Sequence, residues 1–476
     1  MTTAGSGSRR WIAAQLAEFA AGAALDALPP EIPRRAKAHV LDTLAGAIAA
    51  GNEPSTRALL RALDGALGDE ATILGRTSRT QAEVAALANG AMAHSLELDD
   101  DHRLATLHPG AVIVPAALAA SEAAGASGER FLLAVILGYE VTCRVGEAFL
   151  GRQFYRGFHP TATCGVFGAA VAASVAWDLT QEQIVNALGI AGSQAAGLGE
   201  WRFDGSWTKR LHPGLAAQGG ILSARLAREG FTGPASVFEG ESGFLRAFRF
   251  NDTIDADAIT RGLGTDFRMM KTAFKPYPGC RFAHGAIDLA ISLHDDGMTP
   301  ETIREIAVRT FRTDILNQEA RPQTPVVAQF SVPYLTAAAL AGGSLGLGDL
   351  TPAAIERPEV LALSSRISMT EDDEFTAAYP ERYLTELRVT LSDGQERTVT
   401  TDCPRGDPDA ADYAAGDGRF EREISDKVRG VLDYVHAGDH GPSLDRSVAD
   451  IDRAASVSSI AEILALPITA SKVTLA

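Results

Sequence analysis

Between residues 82 and 228 this chain places alanine and glycine again and again where a helix would bury its face. No other feature so constrains its fold. The segments Ala82–Met92, Ala111–Ala124, Phe131–Phe149, Gly165–Trp177, Gln181–Ala195 and Leu215–Arg228 all show apolar residues at helical spacing. Side chains this small let helix axes come close, so the pattern predicts buried, tightly packed helices. Two helices precede them. One spans residues 10–28 through Trp11, Leu16 and Phe19, and the other runs from Pro33 through Val40, Leu41 and Leu44 to Gly51.

The texture changes near residue 265. Ile303 to Phe311 alternates apolar and polar residues as a half-buried strand does. Leu384–Leu391 and Arg397–Thr401 flank Asp393-Gly394, a hairpin signal. Helices are predicted between these strands at Ala283–His294 and Val332–Leu340. The chain becomes helical again at Phe420–Ala437 and Ser458–Leu466. The fold class is therefore mainly α: a large all-helical body plus a smaller α+β domain. The boundaries read as residues 1–268, 269–405 and 406–476, the last packing back on the helical body.

With 476 residues, two cores are the default. A formal net charge of −17 disfavours nucleic acids and anionic membranes as partners, so a site for an anion has to be built locally from a few placed cations. Cys143, Cys164, Cys280 and Cys403 form no CxxC pair, which points to reduced thiols in a cytoplasm. The first residues carry no secretory pattern, and no uncharged apolar run is long enough to span a bilayer.

Four stretches combine His, Lys, Pro, Gly and acids in a way a packed core has little use for. The first is Glu97-Leu98-Asp99-Asp100-Asp101-His102, followed by His108-Pro109-Gly110. Its acids crowd against His94 and His102. A carboxylate held against an imidazole fixes the tautomer and raises its basicity, although a solvated helix end with capping acids is the alternative. The spacing of His and Asp fits no metal motif, so no metal is assigned. The second stretch, Gly157-Phe158-His159-Pro160-Thr161, presents another histidine at a helix start, a setting that suits a carboxylate ligand. The third, Thr208-Lys209-Arg210-Leu211-His212-Pro213-Gly214, and the fourth, Phe274-Lys275-Pro276-Tyr277-Pro278-Gly279-Cys280-Arg281-Phe282-Ala283-His284, each hold a lysine among aromatic, Gly and Pro residues. Each lysine is either a cleft cation able to bind a carboxylate or a surface loop residue. Arg210, His212, Arg281 and His284 could add donors. Tyr334, in Phe330-Ser331-Val332-Pro333-Tyr334, is either a donor to substrate or a packed aromatic.

In order and wording these motifs resemble the MmgE/PrpD family, which includes 2-methylcitrate dehydratase, cis-aconitate decarboxylase and iminodisuccinate epimerase. The likeness covers residues 10–465. It implies a helical domain built from both chain ends, an α+β lid, a homodimer and cofactor-independent chemistry on small di- or tricarboxylates. It also implies that His108 and His159 are active-site histidines, Lys209 and Lys275 the carboxylate clamps, and Tyr334 the lid tyrosine; two imidazoles near neutral pKa can then act as an acid/base pair, with Asp99 or Asp100 as the orienter. Glu97, His212, Arg281 and His284 complete the candidate binding set. The family's acidic segment usually reads Asp-x-Asp-Asp-Thr; here Glu97 replaces the first Asp and Asp101 the Thr. Dehydration of a 2-methylcitrate-type acid is the expected reaction, with epimerisation and decarboxylation as rivals and a non-enzymatic helical scaffold as the bland reading.

Overall fold

Small residues set the architecture by letting helices cross almost backbone to backbone. The computed structural model describes residues 10–312, 318–413 and 416–457. The helices that matter here are α1 (Ile12–Gly22), α2 (Glu31–Ala49), α3 (Ala82–Ala93), α4 (Gly110–Ala124), α5 (Gly128–Glu147), α6 (Pro160–Ala176), α7 (Gln181–Gly192) and α8 (Thr208–Arg228). At the α3–α8 crossing, a Cβ on Gly90 would sit 2.8 Å from Gly214 Cα, and one on Gly214 would run into the Leu87 carbonyl. Nothing larger than glycine fits there. This crossing brings His94, which follows the last residue of α3, beside the first turn of α8 and hence beside Lys209 and His212.

Two helices begin earlier than their sequence suggests. α6 starts at Pro160 rather than Gly165, because proline is preorganised for a first helical position, where its missing N–H is no loss. α8 starts at Thr208 rather than Leu215 and runs straight through Pro213. That proline forfeits the hydrogen bond to the Lys209 carbonyl. The break falls in the second turn, where the tight packing of Gly214 on α3 holds the helix together.

The second apolar core is separate. A four-stranded sheet holds β1 (Ile303–Thr310), β2 (Ile367–Glu371), β3 (Thr385–Leu391) and β4 (Glu396–Thr401) in the order β2-β1-β3-β4. β1 pairs parallel with β2 and antiparallel with β3, and β3 and β4 form the Asp393-Gly394 hairpin. β2 shows no strand pattern in residue order, since only Ile367 of its residues is buried. Ile306, Val308, Leu387 and Val389 pack against α9 (His284–Asp295) and α10 (Val332–Gly342).

The first core takes its residues from Ile12 to Phe274 and again from Ala410 to Val457, with Leu347 added from between them. In α11 (Arg419–Tyr434), the apolar stripe Phe420, Ile424, Val428 and Leu432 is buried in it. Lys427 Nζ reaches back to Asp42 at 2.6 Å and to the Leu98 carbonyl at 2.6 Å, fastening the acidic turn from behind. The helix expected at Ser458–Leu466 lies outside the described residues. Among the described residues no helix is long and apolar enough to cross a membrane.

Gly214→Ala tests the crossing. Overpacking against fixed backbone costs about 1–3 kcal/mol, of which the better helix propensity of alanine returns up to about 1 kcal/mol. The urea midpoint should fall; an unchanged or higher midpoint would show that α3 and α8 separate freely.

Candidate active site

The acidic turn is the hub. Glu97 adopts a left-handed backbone (φ 54°), unusual for a residue with a side chain, and this turns its carboxylate between two lysines. Lys209 Nζ donates to Glu97 Oε1, and Lys275 Nζ donates to Oε2 at 3.3 Å. Lys275 also stands 3.9 Å from Asp99. Asp99 in turn holds His94 Nδ1 at 2.6 Å. All five of these side chains are buried.

The lysines arrive from distant segments. Lys209 lies in the first turn of α8, with its ammonium 5.3 Å from the Trp201 ring and 4.9 Å from the Phe330 ring. Lys275 follows Ala273, whose backbone exchanges hydrogen bonds with Asp101 at 2.9 and 2.8 Å. That short antiparallel bridge places the fourth motif beside the first.

The imidazoles form the other wall. His159 caps the start of α6, and its Nδ1 lies 3.0 Å from His212 Nδ1. His108 donates from Nδ1 to the Asp100 carbonyl at 2.7 Å. The His94 ring stands 5.0 Å from that of His108 and stacks 5.5 Å from that of His159. Together, His94, His108 and His159 offer ring nitrogens within 4.8 Å of one another, a grouping able to hold a metal ion that residue spacing alone did not reveal.

The structure thus gathers Glu97, Asp99, His108, His159, Lys209, His212 and Lys275 into one neighbourhood. Asp100 belongs to the scaffold. Its carboxylate accepts from the Gly110 N–H at 2.8 Å and the Tyr139 hydroxyl at 2.7 Å, so it anchors the start of α4. Tyr334 needs correcting. Its hydroxyl donates to the Asp349 carbonyl at 2.6 Å and also contacts that of Ala354, inside the second core, which leaves no proton for a substrate. Arg281 spends its donors on the Arg405 and Pro404 carbonyls and on His284 Nδ1 at 3.1 Å. Arg281 and His284 therefore tie down the 404–405 loop. His102 is held by Glu147 at 2.9 Å. The sequence reading noticed His94 only as a neighbour of the acids and overlooked Trp201. The one hint for His94 was its place at the end of a small-residue helix, three residues before Glu97.

Burial penalises every charge here, and the partners decide which charges survive. Burial would raise Glu97, but Lys209, Lys275 and His94 overcome it and hold the carboxyl well below its usual range. Asp99 is held low in the same way, burial being outweighed by His94, His108 and Lys275. Burial pulls Lys209 down, only partly offset by Glu97, whereas Glu97, Asp99 and Asp101 outweigh burial at Lys275 and raise it. Burial, reinforced by neighbouring cations and imidazoles, pushes His108 and His159 well below their ordinary value, so both are neutral bases at neutral pH.

The MmgE/PrpD N-terminal domain matches residues 14–256 of this chain, and the MmgE/PrpD C-terminal domain matches residues 277–431. The chain belongs to the MmgE/PrpD family. Among curated proteins it is similar to cis-aconitate decarboxylase of Aspergillus terreus, 26% identical over 98% of each chain. It is 28% identical to the cis-aconitate decarboxylase-like protein oryM of Aspergillus oryzae, over 92% of this chain and 93% of the relative. It is 29% identical to cis-aconitate decarboxylase of Homo sapiens, over 79% of each.

Burial raises the Asp101 carboxyl to about 6, against the pull of Arg281, Lys275 and His102. Between the ordinary carboxylate range and pH 6 the folded protein keeps a proton that the unfolded chain releases. Stability therefore falls as pH rises through that window. Asp101→Asn removes the effect. Relative to this variant, the wild type should lose up to about 1.4 kcal/mol per pH unit over roughly pH 4–6 in denaturant titrations. Parallel profiles would contradict the assignment.

Proposed function

We propose that this chain is a lyase acting on a small di- or tricarboxylate, with its own side chains supplying the chemistry. The carrying observation is the placement of two buried ammonium groups and two neutral imidazoles, the buried His159 and the half-buried His108, around one acidic turn. In the free enzyme the Glu97 carboxylate lies between the ammoniums as a substrate carboxylate would, and the substrate takes over that position. Negative charge that builds next to the bound carboxylate in the transition state is then met by Lys209 and Lys275 in a water-poor setting, where fixed charges act most strongly.

The names of the relatives make a cis-aconitate-type acid the first substrate to test. In its decarboxylation the C–C bond to one carboxylate breaks and CO₂ leaves. The released electron pair forms a new alkene, and the old double bond takes a proton at its far carbon. His108 or His159, once protonated, is placed to give that proton. Dehydration of a 2-methylcitrate-type hydroxy acid is a second reading. It is favoured by the neutral state of both imidazoles, because it begins with removal of a proton next to a carboxylate. The lid role of the sheet-bearing part and the homodimer belong to the same proposal and rest on the family resemblance, and the cytoplasmic location rests on the cysteine pattern.

Incubation with cis-aconitate, 2-methylcitrate or iminodisuccinate in D₂O, followed by NMR, separates the reactions. Loss of CO₂ with deuterium on the product marks decarboxylation, and a new alkene with loss of water marks dehydration. Deuterium uptake without loss of a group marks epimerisation and contradicts the lyase reading. On the active substrate, His159→Ala should lower kcat by at least roughly 10²-fold. Lys275→Met should raise KM and lower kcat, reducing kcat/KM by roughly 10–100-fold. Near-normal kinetics in both variants would remove this pocket from the mechanism.

A further inference from the structure

We infer that His94, His108 and His159 form a binding site for a borderline divalent transition cation, zinc above all, and that an ion there blocks turnover. The binding claim rests on geometry alone; the blocking claim rests on the lyase reading.

The three rings come from the end of α3, the loop before α4 and the first residue before α6, and one nitrogen of each lies within 4.8 Å of the others. Zinc holds imidazole nitrogens at about 2.0–2.1 Å, which sets them about 3.4 Å apart, so the rings need to close by up to about 1.4 Å. Two of the three are oriented as metal ligands are. The Asp99 carboxylate accepts a hydrogen bond from His94 Nδ1 at 2.6 Å, and the Asp100 carbonyl accepts one from His108 Nδ1 at 2.7 Å. Each contact fixes the tautomer and leaves the lone pair on Nε2, the arrangement by which carboxylates and carbonyls support metal-binding histidines.

The second observation is His94 Nε2 itself. It is fully buried and has no hydrogen-bond partner. A buried polar nitrogen left without a partner in this way costs free energy unless a ligand meets it. Charge does not forbid a cation, because the carboxylates of Glu97, Asp99 and Asp101 face the two ammoniums of Lys209 and Lys275. Nitrogen donors select zinc, cobalt or nickel over magnesium or calcium, which prefer oxygen. Three protein ligands leave a fourth position open to water or to a substrate carboxylate. An ion in this site would engage the lone pairs that the reaction needs.

The test uses the full-length, chelator-treated protein titrated with Co²⁺ and then Zn²⁺. We expect one equivalent of cobalt per chain with the visible absorption of four-coordinate cobalt, displaced by zinc. In His94→Gln the cobalt affinity should fall by roughly 10–100-fold. Cys280→Ser should bind as the wild type does, which excludes a thiolate ligand. If His94→Gln fails to fold by circular dichroism, ¹⁵N-imidazole NMR of the wild type decides: zinc must shift the nitrogens of these three rings. Absence of stoichiometric cobalt binding, undiminished affinity in a folded His94→Gln, or shifts confined to other histidines would overturn the site. Stoichiometric zinc that leaves turnover unchanged would overturn the blocking claim and leave the site standing.

Discussion

One buried carboxylate between two buried ammonium groups is the constraint on which the rest depends. Taking Glu97, Lys209 and Lys275 out of water is expensive, and their mutual attraction only partly repays it. Such a cluster is poor evidence for stability and good evidence for a site. The molecule maintains it with backbone. Glu97 sits in a left-handed conformation, the Asp101–Ala273 bridge fixes Lys275, and the bare Gly90–Gly214 crossing sets the start of α8 against the end of α3. If any of the three were relaxed, the charges would part.

Burial is the first reason that His108 and His159 are neutral, and the nearby positive charge, Lys275 and Lys209 at His108 and Lys209 at His159, adds to it. Two kinds of group thus line the pocket, ammoniums and neutral imidazoles. Asp99 links the two halves, since it touches His94 and faces Lys275. Relative to the family's usual acidic segment, glutamate at position 97 adds a methylene that lets its carboxylate touch both lysines. Aspartate at 101 adds a buried carboxyl where a threonine would carry no charge. Only the change at 101 makes the pocket more acidic; the one at 97 leaves its charge as it was.

Much of this was legible in the sequence because helical periodicity and motif composition are local. The small-residue helices, the Asp393-Gly394 hairpin and the lysine and histidine motifs could all be read from residue order. What could not be read depends on side-chain direction. Asp99 and Asp100 are adjacent and identical in type, yet one holds His94 and the other anchors the start of α4. Tyr334 opens a helix in a suggestive motif, but its hydroxyl meets backbone carbonyls in the second core. Pro213-Gly214 looked like a loop and became part of a helix, because packing on α3 outweighed one lost hydrogen bond. His94 gained its place only through the tertiary crossing.

The most direct measurement is a crystal structure of the protein soaked with cis-aconitate or an unreactive tricarboxylate analogue. The account predicts a ligand carboxylate within hydrogen-bonding distance of both Lys209 Nζ and Lys275 Nζ, with the Glu97 side chain displaced and a ligand carbon facing His108 or His159. A ligand bound elsewhere, with Glu97 still seated between the two ammoniums, would contradict it.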